Sequence, residues 1–394
     1  MFSCQYFRCD CCSNLSNITM KYRTLKIRHS IFMLGVGLIA LAFLSLTVSK
    51  RAEPNGCYDQ QIAAALQMQQ CIERLREQPI SEKKFVNDPN RTNLIGLEYS
   101  EITTTLGDMA AKRTSTNPDF AALLVKWFSE LGVKARDVIA VGSSSSFPAL
   151  TLATICAAEA MQVLPLIIVS LSASSYGANL PQWTYLDIES FLKNSGCIKY
   201  GAIAASLGGE RDIASGLDAE GVRYLRHAAQ RHLVFLIEED DIYRNVQQRA
   251  RLYEQFGKPA VFINVGGAQI NVGDYEFTRL LKPGINSFDL RFTPQAQAMS
   301  QYFLMRGTPV IHLLNLRKLV LENNLPWDPI PLPIPGTAAI YYHSRIEMVY
   351  LWIAIGLAIS GWGAFIYGRL KDDLLRRSDV DDHSFILKHY LDRF

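Results

Sequence analysis

Net charge is the first property that this chain of 394 residues has little of. It carries 40 lysine and arginine residues against 37 aspartate and glutamate residues, so its formal net charge is only +3. A surface for nucleic acid needs concentrated basic charge, whereas the clearest basic clusters here flank two apolar runs near the ends of the chain. We therefore expect no nucleic-acid partner.

Several motifs that carry known chemistries are also missing. The chain has neither the G-x-x-x-x-G-K-[ST] loop nor the G-x-G-x-x-G turn of nucleotide-binding proteins. It lacks the G-x-S-x-G elbow of many serine hydrolases, the H-E-x-x-H motif of metalloproteases and the repeated C-x2-C pairs of strong zinc sites. We predict no bound metal and no cofactor.

Cysteines are few and fall into two groups. They are Cys4, Cys9, Cys11 and Cys12 near the N-terminus, and Cys57, Cys71, Cys156 and Cys197 further along. In the second group, Cys57 and Cys71 lie on either side of a helical segment and are candidates for a disulfide, although spacing alone does not determine a pairing. A second methionine, Met20, makes residues 1–19 a candidate product of an upstream start site.

Two long apolar runs, residues 31–48 and 348–367, contain no charged residue. Each has the length that a helix needs to cross a hydrocarbon core of ~30 Å, so both are predicted to be transmembrane helices. Basic residues before the first run and after the second place residues 1–30 and 368–394 in the cytoplasm. The domain between them, residues 52–336, is then expected outside the cytoplasm. A cleaved signal peptide is the alternative for the first run, which is longer than a usual signal core.

From Asp137 onward, β-rich runs alternate with helical segments, which predicts an α/β fold with a largely parallel, Rossmann-like sheet. The strands are predicted at residues 138–141, 166–170, 200–204, 233–237, 260–265 and 310–314. Their nearly continuous apolar character is typical of strands covered on both faces. The helices are predicted at residues 59–76, 119–131, 148–162, 183–194, 220–231, 242–256, 295–305 and 317–323. Residues 326–336, with five prolines, indicate a stiff linker.

Three turns follow predicted strands, and in open α/β sheets ligands bind at such strand ends. The turn residues are Gly142, Ser143, Ser144, Ser145 and Ser146 in the first turn, Gly208, Gly209 and Arg211 in the second, and Gly266 and Gly267 in the third. The first turn offers hydroxyls and a helix N-terminus, which suit an anion. The paired glycines permit close backbone approach to a ligand. Helix capping and tight turns are the competing interpretations.

Histidine and acidic clusters give weaker signals. His312 lies inside an apolar predicted strand, where a lone histidine is more often a core residue than a ligand. The acidic run at residues 238–241 suits a divalent cation, but more often such a run is a solvated face or a helix cap.

Several segments together resemble one bacterial family. Residues 87–98, 102–107, 112–118, 142–148, 208–212 and 306–315 are similar to the bacterial poly-gamma-glutamate system protein family. The resemblance covers residues 87–333. It departs from the family in the first of the three turns, residues 142–146, where a glycine is expected among the serines; this turn is called the serine turn below. It implies a membrane-anchored accessory to the making, export or retention of the poly-γ-glutamate capsule, in the plasma membrane at the bacterial cell surface. The lipid bilayer and other membrane proteins of the capsule system are the implied partners.

Two functions follow for the outer domain. In the first, it binds poly-γ-glutamate, another anionic polymer or partner proteins without catalysis, and Lys112, Arg113, Arg211 and Arg306 are cations near the turns that suit a polyanion. The alternative for each of these cations is solvated surface charge. In the second, it is an enzyme that cuts or transfers the γ-glutamyl chain, with Ser144 as nucleophile and His312 as base.

Overall fold

The computed structural model describes residues 50–78, 86–288 and 295–346, together with scattered helical positions between residues 33 and 40 and between 352 and 374. The chain divides into two units. One consists of Met1–Glu53 and Ser344–Phe394, and the other, Pro54–His343, contains the α/β fold. Strands β1 (Lys50–Pro54) and β13 (Tyr342–Ile346) pair in a two-stranded sheet.

The described helices of the α/β unit are mostly short. They are α1 (Tyr58–Arg76), α2 (Met109–Ser115), α3 (Asp119–Glu130), α4 (Pro148–Ala160), α5 (Tyr185–Asn194), α6 (Ala219–Arg231), α7 (Ile242–Tyr253), α8 (Gln269–Val272), α9 (Tyr275–Thr278), α10 (Met299–Met305) and α11 (Leu316–Glu322), with a 3-10 turn at Ala339–Tyr341. The predicted linker at residues 326–336 contains neither helix nor strand.

Seven strands form the central sheet. They are β3 (Val138–Ser144), β4 (Leu164–Ser170), β8 (Ala202–Ser206), β9 (Phe235–Ile237), β10 (Phe262–Val265), β11 (Gly284–Asn286) and β12 (Val310–Leu313). Their order is β11-β12-β10-β3-β4-β8-β9. All neighbouring strands are parallel except β11, which runs antiparallel to β12. The largely parallel α/β sheet is therefore present, and it is compatible with the Rossmann-like description.

Besides β1 and β13, four short described strands lie outside the central sheet. They are β2 (Thr103–Thr105), β5 (Ala173–Ser174), β6 (Asn179–Leu180) and β7 (Trp183–Thr184). Strand β2 runs parallel to β5, and β6 runs antiparallel to β7. The β2–β5 pair brings residues 103–105 beside the segment that follows β4.

The strand order reverses beside β3. From β3 the chain builds outward through β4, β8 and β9, and then returns to place β10 on the other side of β3. The carboxyl ends of β3 and β10 therefore diverge into connections on opposite faces of the sheet. This is a topological switch point, where doubly wound sheets leave a crevice.

Alternate residues of the central strands enter two separate cores. Val141, Ile167 and Ile263 belong to the larger core, which includes residues of α1, α3 and α4. Ile168 and Phe262 belong to the smaller core, with residues of α7 and α10. Successive side chains of a strand point to opposite faces of the sheet. Because both faces of this sheet are buried, its strands need apolar residues at every position, which explains the continuous apolar runs in the sequence.

The prediction of two transmembrane helices is wrong for the part of the chain that the structure describes. No described helix is both long enough and apolar enough to cross a membrane. The longest, α1, has 19 residues but contains five glutamines and four charged residues, which a hydrocarbon core accepts only at high cost. Most of residues 31–48 lies outside the described residues, whereas 14 of the 20 residues 348–367 are described, all as helical positions. The described residues therefore do not support the membrane anchor, or the plasma-membrane localisation, that was predicted from those runs.

The described cysteines are free thiols. Cys57 immediately precedes α1 and Cys71 lies within it. Fourteen residues of helix at ~1.5 Å each span ~21 Å, far beyond the ~7 Å between Cα atoms that a disulfide tolerates. Cys57 and Cys71 therefore cannot pair with each other in this fold, and the N-terminal cysteines lie outside the described residues.

Candidate functional site

A cleft of about 820 Å³ opens at the carboxyl edge of the central sheet. Four parallel strands contribute to it through Ser144 of β3, Ser170 of β4, Gly267 after β10 and Leu314 after β12. Its other walls come from residues 104–108, Lys112, Ser172, Ser174, residues 273–275, Arg317 and Trp327. The cleft lies at the switch point, where this class of fold binds its ligands.

The first two residues of the serine turn serve packing. A Cβ atom on Gly142 would lie 2.6 Å from Oδ1 of Asn271 and 2.7 Å from Cζ of Phe262, so only glycine fits there. The hydroxyl of Ser143 is buried and lies 2.5 Å from the hydroxyl of Thr151 in α4. Neither residue lines the cleft.

The next three serines divide between cleft and core. Ser144 and Ser146 line the cleft, and the Ser144 hydroxyl donates to Oγ of Ser146 at 3.0 Å. Oγ of Ser146 also accepts the backbone N–H of Ser174 at 2.9 Å. Ser145 is fully buried, and its hydroxyl has no hydrogen-bond partner among the described residues. The turn thus presents two hydroxyls to the cleft and anchors the segment that carries Ser174.

Lys112 is the most unusual cation of the cleft because it is almost completely buried. Its side chain is only 2% exposed, yet it lines the cleft wall. Nζ lies 2.7 Å from Oγ of Ser174, donates to the backbone carbonyl of Ser146, and sits 3.8 Å from the ring centroid of Phe147. Burial lowers the pKa of Lys112 to about 7, and the charge of Asp108 acts in the opposite direction.

A second group of serines, which the sequence analysis did not select, lines the same cleft. Ser170, Ser172 and Ser174 follow one another at alternate positions through the end of β4 and into β5. The Ser172 hydroxyl is buried and has no hydrogen-bond partner within the described part of the chain. A Cβ atom on Gly208 would clash with it. The available signal was the run Ser170-Leu-Ser-Ala-Ser-Ser175 directly after a predicted strand.

The two glycine turns reach the cleft with one glycine each. Gly209 and Gly267 line it, whereas Gly208 packs against Ser172 and Gly266 against Ser144. Gly208, Gly209 and Gly266 have φ values of +78°, +72° and +82°, which favour glycine. Arg211 does not line the cleft, and its guanidinium donates to the backbone carbonyl of Asp240 at 2.9 Å.

His312 is placed in the core of the sheet rather than in the cleft. It is 3% exposed, and its Nδ1 lies 2.9 Å from Nδ2 of Asn264 on the neighbouring strand. Burial lowers the pKa of His312 to about 4. The histidine is absent from the cleft lining, so the structure does not support it as a base for Ser144.

The remaining predicted cations and acids are engaged elsewhere. Arg113 forms a bidentate ion pair with Asp328, and the guanidinium of Arg306 lies over the ring of Tyr302. Asp241 caps the N-terminus of α7 by accepting the backbone N–H of Arg244. These contacts favour structural roles for Arg113 and Arg306 and a capping role within the acidic run.

A buried ionic network adjoins the cleft at Ser170. The Ser170 hydroxyl lies 3.1 Å from Oδ1 of Asp212, which also accepts the hydroxyl of Ser206 at 2.7 Å. Arg249, fully buried on α7, donates to Oδ2 of Asp212 at 2.5 Å and is held at 2.8 Å by Oδ1 of Asn245. The network fixes the carboxyl ends of β4 and β8 to α7.

The formal charges of the cleft lining are mixed. Lys112 and Arg317 are basic, and Asp108, Glu210 and Asp274 are acidic. Asp108 and Asp274 cap the N-termini of α2 and α9, so their carboxylates are already engaged. The cleft therefore has no strong net field, and recognition depends on individual donors and acceptors.

The chain is thus an α/β domain with a hydroxyl-rich cleft at its topological switch point. Comparison of the chain with protein-family models, with curated proteins and with solved structures finds no match.

Proposed function

We propose that the cleft binds a segment of poly-γ-glutamate and that the protein is an accessory component in the making, export or retention of this polymer. The observation that carries the proposal is Ser172, a residue of the cleft lining whose hydroxyl is buried and has no partner among the described residues. A buried polar group without a partner is costly. A ligand that pairs with Ser172 removes that cost.

The chemistry of a γ-glutamyl chain matches what the cleft offers. Each unit of the polymer has one amide and one free carboxylate. The hydroxyls of Ser144 and Ser172 suit the amide groups, and the exposed guanidinium of Arg317 suits a carboxylate. The N-terminal end of α4, which follows the serine turn, adds a partial positive charge. The polymer's identity rests on the resemblance described above.

The mixed charge of the lining also shapes the proposal. Because three carboxylates accompany the two cations of the cleft, long-range attraction of a polyanion is weak. Binding would rest on a short segment held by direct contacts, and a γ-linked chain would be distinguished from an α-linked one by the spacing of amides and carboxylates.

The test is calorimetric titration of the full chain with a γ-linked glutamate pentamer. Replacing Ser172 with alanine removes one hydrogen bond worth about 0.5–1.5 kcal/mol, so we expect binding about 2- to 10-fold weaker. The free energy of unfolding of this variant should not fall, because the lost hydroxyl has no partner in the free protein. Ser300→Ala is the matched control, since that hydroxyl is also buried and unpartnered but does not line the cleft.

Charge reversal on α11 gives an independent arm. Arg317→Glu should weaken pentamer binding several-fold, whereas Lys318→Glu makes the same change in net charge one residue away, outside the cleft lining. The proposal would be overturned if Ser172→Ala and Arg317→Glu bound the pentamer as tightly as the wild type. It would also be overturned if the wild-type protein did not bind the pentamer.

A further inference from the structure

We propose that Ser174 and Lys112 form a nucleophile–base pair that cleaves or transfers the acyl group of an amide bound in the cleft. The proposal adds an activity to the site and takes its substrate class, a γ-glutamyl amide, from the proposed function. It differs from the Ser144 and His312 pair that the sequence suggested, because His312 lies outside the cleft lining.

The two side chains meet at reacting distance. Nζ of Lys112 lies 2.7 Å from Oγ of Ser174, within the ~2.6–3.2 Å required between a nucleophile and its base. Both residues line the cleft, and Ser174 is 7% exposed. A substrate carbonyl in the cleft would therefore have access to the serine, while the amine behind it is shielded from water.

The backbone contacts fix the orientation of both groups. Nζ of Lys112 donates to the Ser146 carbonyl, which leaves its lone pair available to the Ser174 hydroxyl when the amine is neutral. Oγ of Ser146 accepts the backbone N–H of Ser174 at 2.9 Å. Ser146 is thus a positioning residue for the lysine through its carbonyl and for the serine through its hydroxyl.

The surroundings of Lys112 favour the neutral amine that a base must provide. Its side chain forms no ion pair with a carboxylate of the described residues, and Asp108 is the charged group whose field acts on it. Its other neighbours, namely Ser146, Ser174, the Phe147 ring and Gly107, are uncharged. Burial lowers the lysine pKa to about 7, close to the value at which general bases work best.

Gly107 keeps space open beside the pair. A Cβ atom at this position would lie 3.2 Å from both Cε of Lys112 and Oγ of Ser174, and would clash with the backbone carbonyl of Ser175. Gly107 itself lines the cleft. Its lack of a side chain lets the β2–α2 connection approach the serine and lysine closely.

The reaction can be written with all atoms accounted for. The Lys112 amine takes the Oγ proton as Ser174 attacks the amide carbonyl carbon, and the resulting ammonium gives that proton to the leaving nitrogen when the C–N bond breaks. An ester to Ser174 remains. Water, or the amine of another chain, attacks this ester while Lys112 takes its proton and returns a proton to Oγ. Hydrolysis or transfer results, and both residues are restored.

The experiment is covalent labelling of the full chain with a fluorophosphonate, followed by mass mapping of the modified residue. We expect one adduct on Ser174, and a labelling rate that rises with pH around a midpoint near 7. Ser174→Ala should abolish labelling, and Lys112→Met should slow it by about 10²- to 10⁴-fold and remove the midpoint. Ser195→Ala, an exposed serine outside the cleft, is the control and should label as the wild type.

Several results would overturn the assignment. They are the absence of an adduct on Ser174, an adduct on Ser144 instead, or a Lys112→Met variant that keeps the wild-type rate and pH midpoint while remaining folded by circular dichroism. Because labelling needs no polymer, it is independent of the proposed ligand. If Ser174 is labelled but the pentamer does not bind, only the proposed polymer ligand is contradicted. If the pentamer binds but Ser174 is not labelled, only the role of Ser174 as nucleophile is contradicted.

Discussion

At the scale of single residues, the burial of Lys112 should make the free energy of unfolding depend on pH. Its pKa is lowered from 10.5 to about 7 by desolvation, so between these values the unfolded state binds more protons than the folded state. The free energy of unfolding contributed by this group therefore rises as the pH rises from about 7 to about 10.

Replacing Lys112 with methionine removes this titration and keeps most of the side-chain volume. Urea unfolding of both proteins from pH 6 to pH 10 should show the wild type gaining stability relative to Lys112→Met across the upper part of this range. Parallel curves would mean that the lysine keeps an ordinary pKa in the folded protein, and would remove one support for its role as a base.

Single residues also show where sequence reasoning about the site reached its limit. Ser144 and Ser146 were selected because they follow a predicted strand, and both line the cleft. Gly142 belongs to the same motif but is required by the approach of Asn271 and Phe262, two residues far away in sequence. Ser174 lies in a run of serines after a predicted strand, but its contact with Lys112 spans 62 residues and exists only after folding.

At the scale of elements, α7 is held to the sheet by a buried ion pair. Arg249 is fully buried and donates to Asp212, which is 2% exposed, at the end of the sheet next to the cleft. Removal of one member of such a pair leaves the other charge buried without compensation, which costs about 3–5 kcal/mol. We expect Arg249→Met to lower the free energy of unfolding by that amount in urea denaturation.

Two further variants test the reason for this loss. Arg251→Met changes an exposed arginine on the same helix and should alter stability by no more than about 0.5 kcal/mol. Adding Asp212→Asn to Arg249→Met removes the uncompensated charge and should recover part of the stability. A loss in Arg249→Met no larger than that in Arg251→Met would contradict the account of the network.

Elements differ in how well the sequence predicted them. The parallel strands β3, β4 and β10 were predictable because a strand that is covered on both faces must be apolar throughout. The two-residue strands β5, β6 and β7 were missed, since so short a pairing is set by its neighbours rather than by local pattern. Strand β5 matters for function because it carries Ser174.

At the scale of the whole α/β unit, the chain order of the strands creates the site. Since β10 returns to the opposite side of β3 from β4, residues from turns more than 100 positions apart, such as Ser144 and Gly267, meet at one edge. The sequence supported such a convergence through the fold class alone. It could not supply the strand order, which depends on how complete elements pack.

Hydrogen exchange of the full chain, measured with and without the γ-linked glutamate pentamer, decides whether the switch-point cleft is where the polymer binds. We expect slower exchange on binding in residues 104–112, 144–147, 170–174 and 314–317, which surround the cleft. Exchange in residues 219–231, which form helix α6, should not change. Unchanged exchange around the cleft, with protection confined to other parts of the chain, would contradict the claim that the switch-point cleft is the functional site.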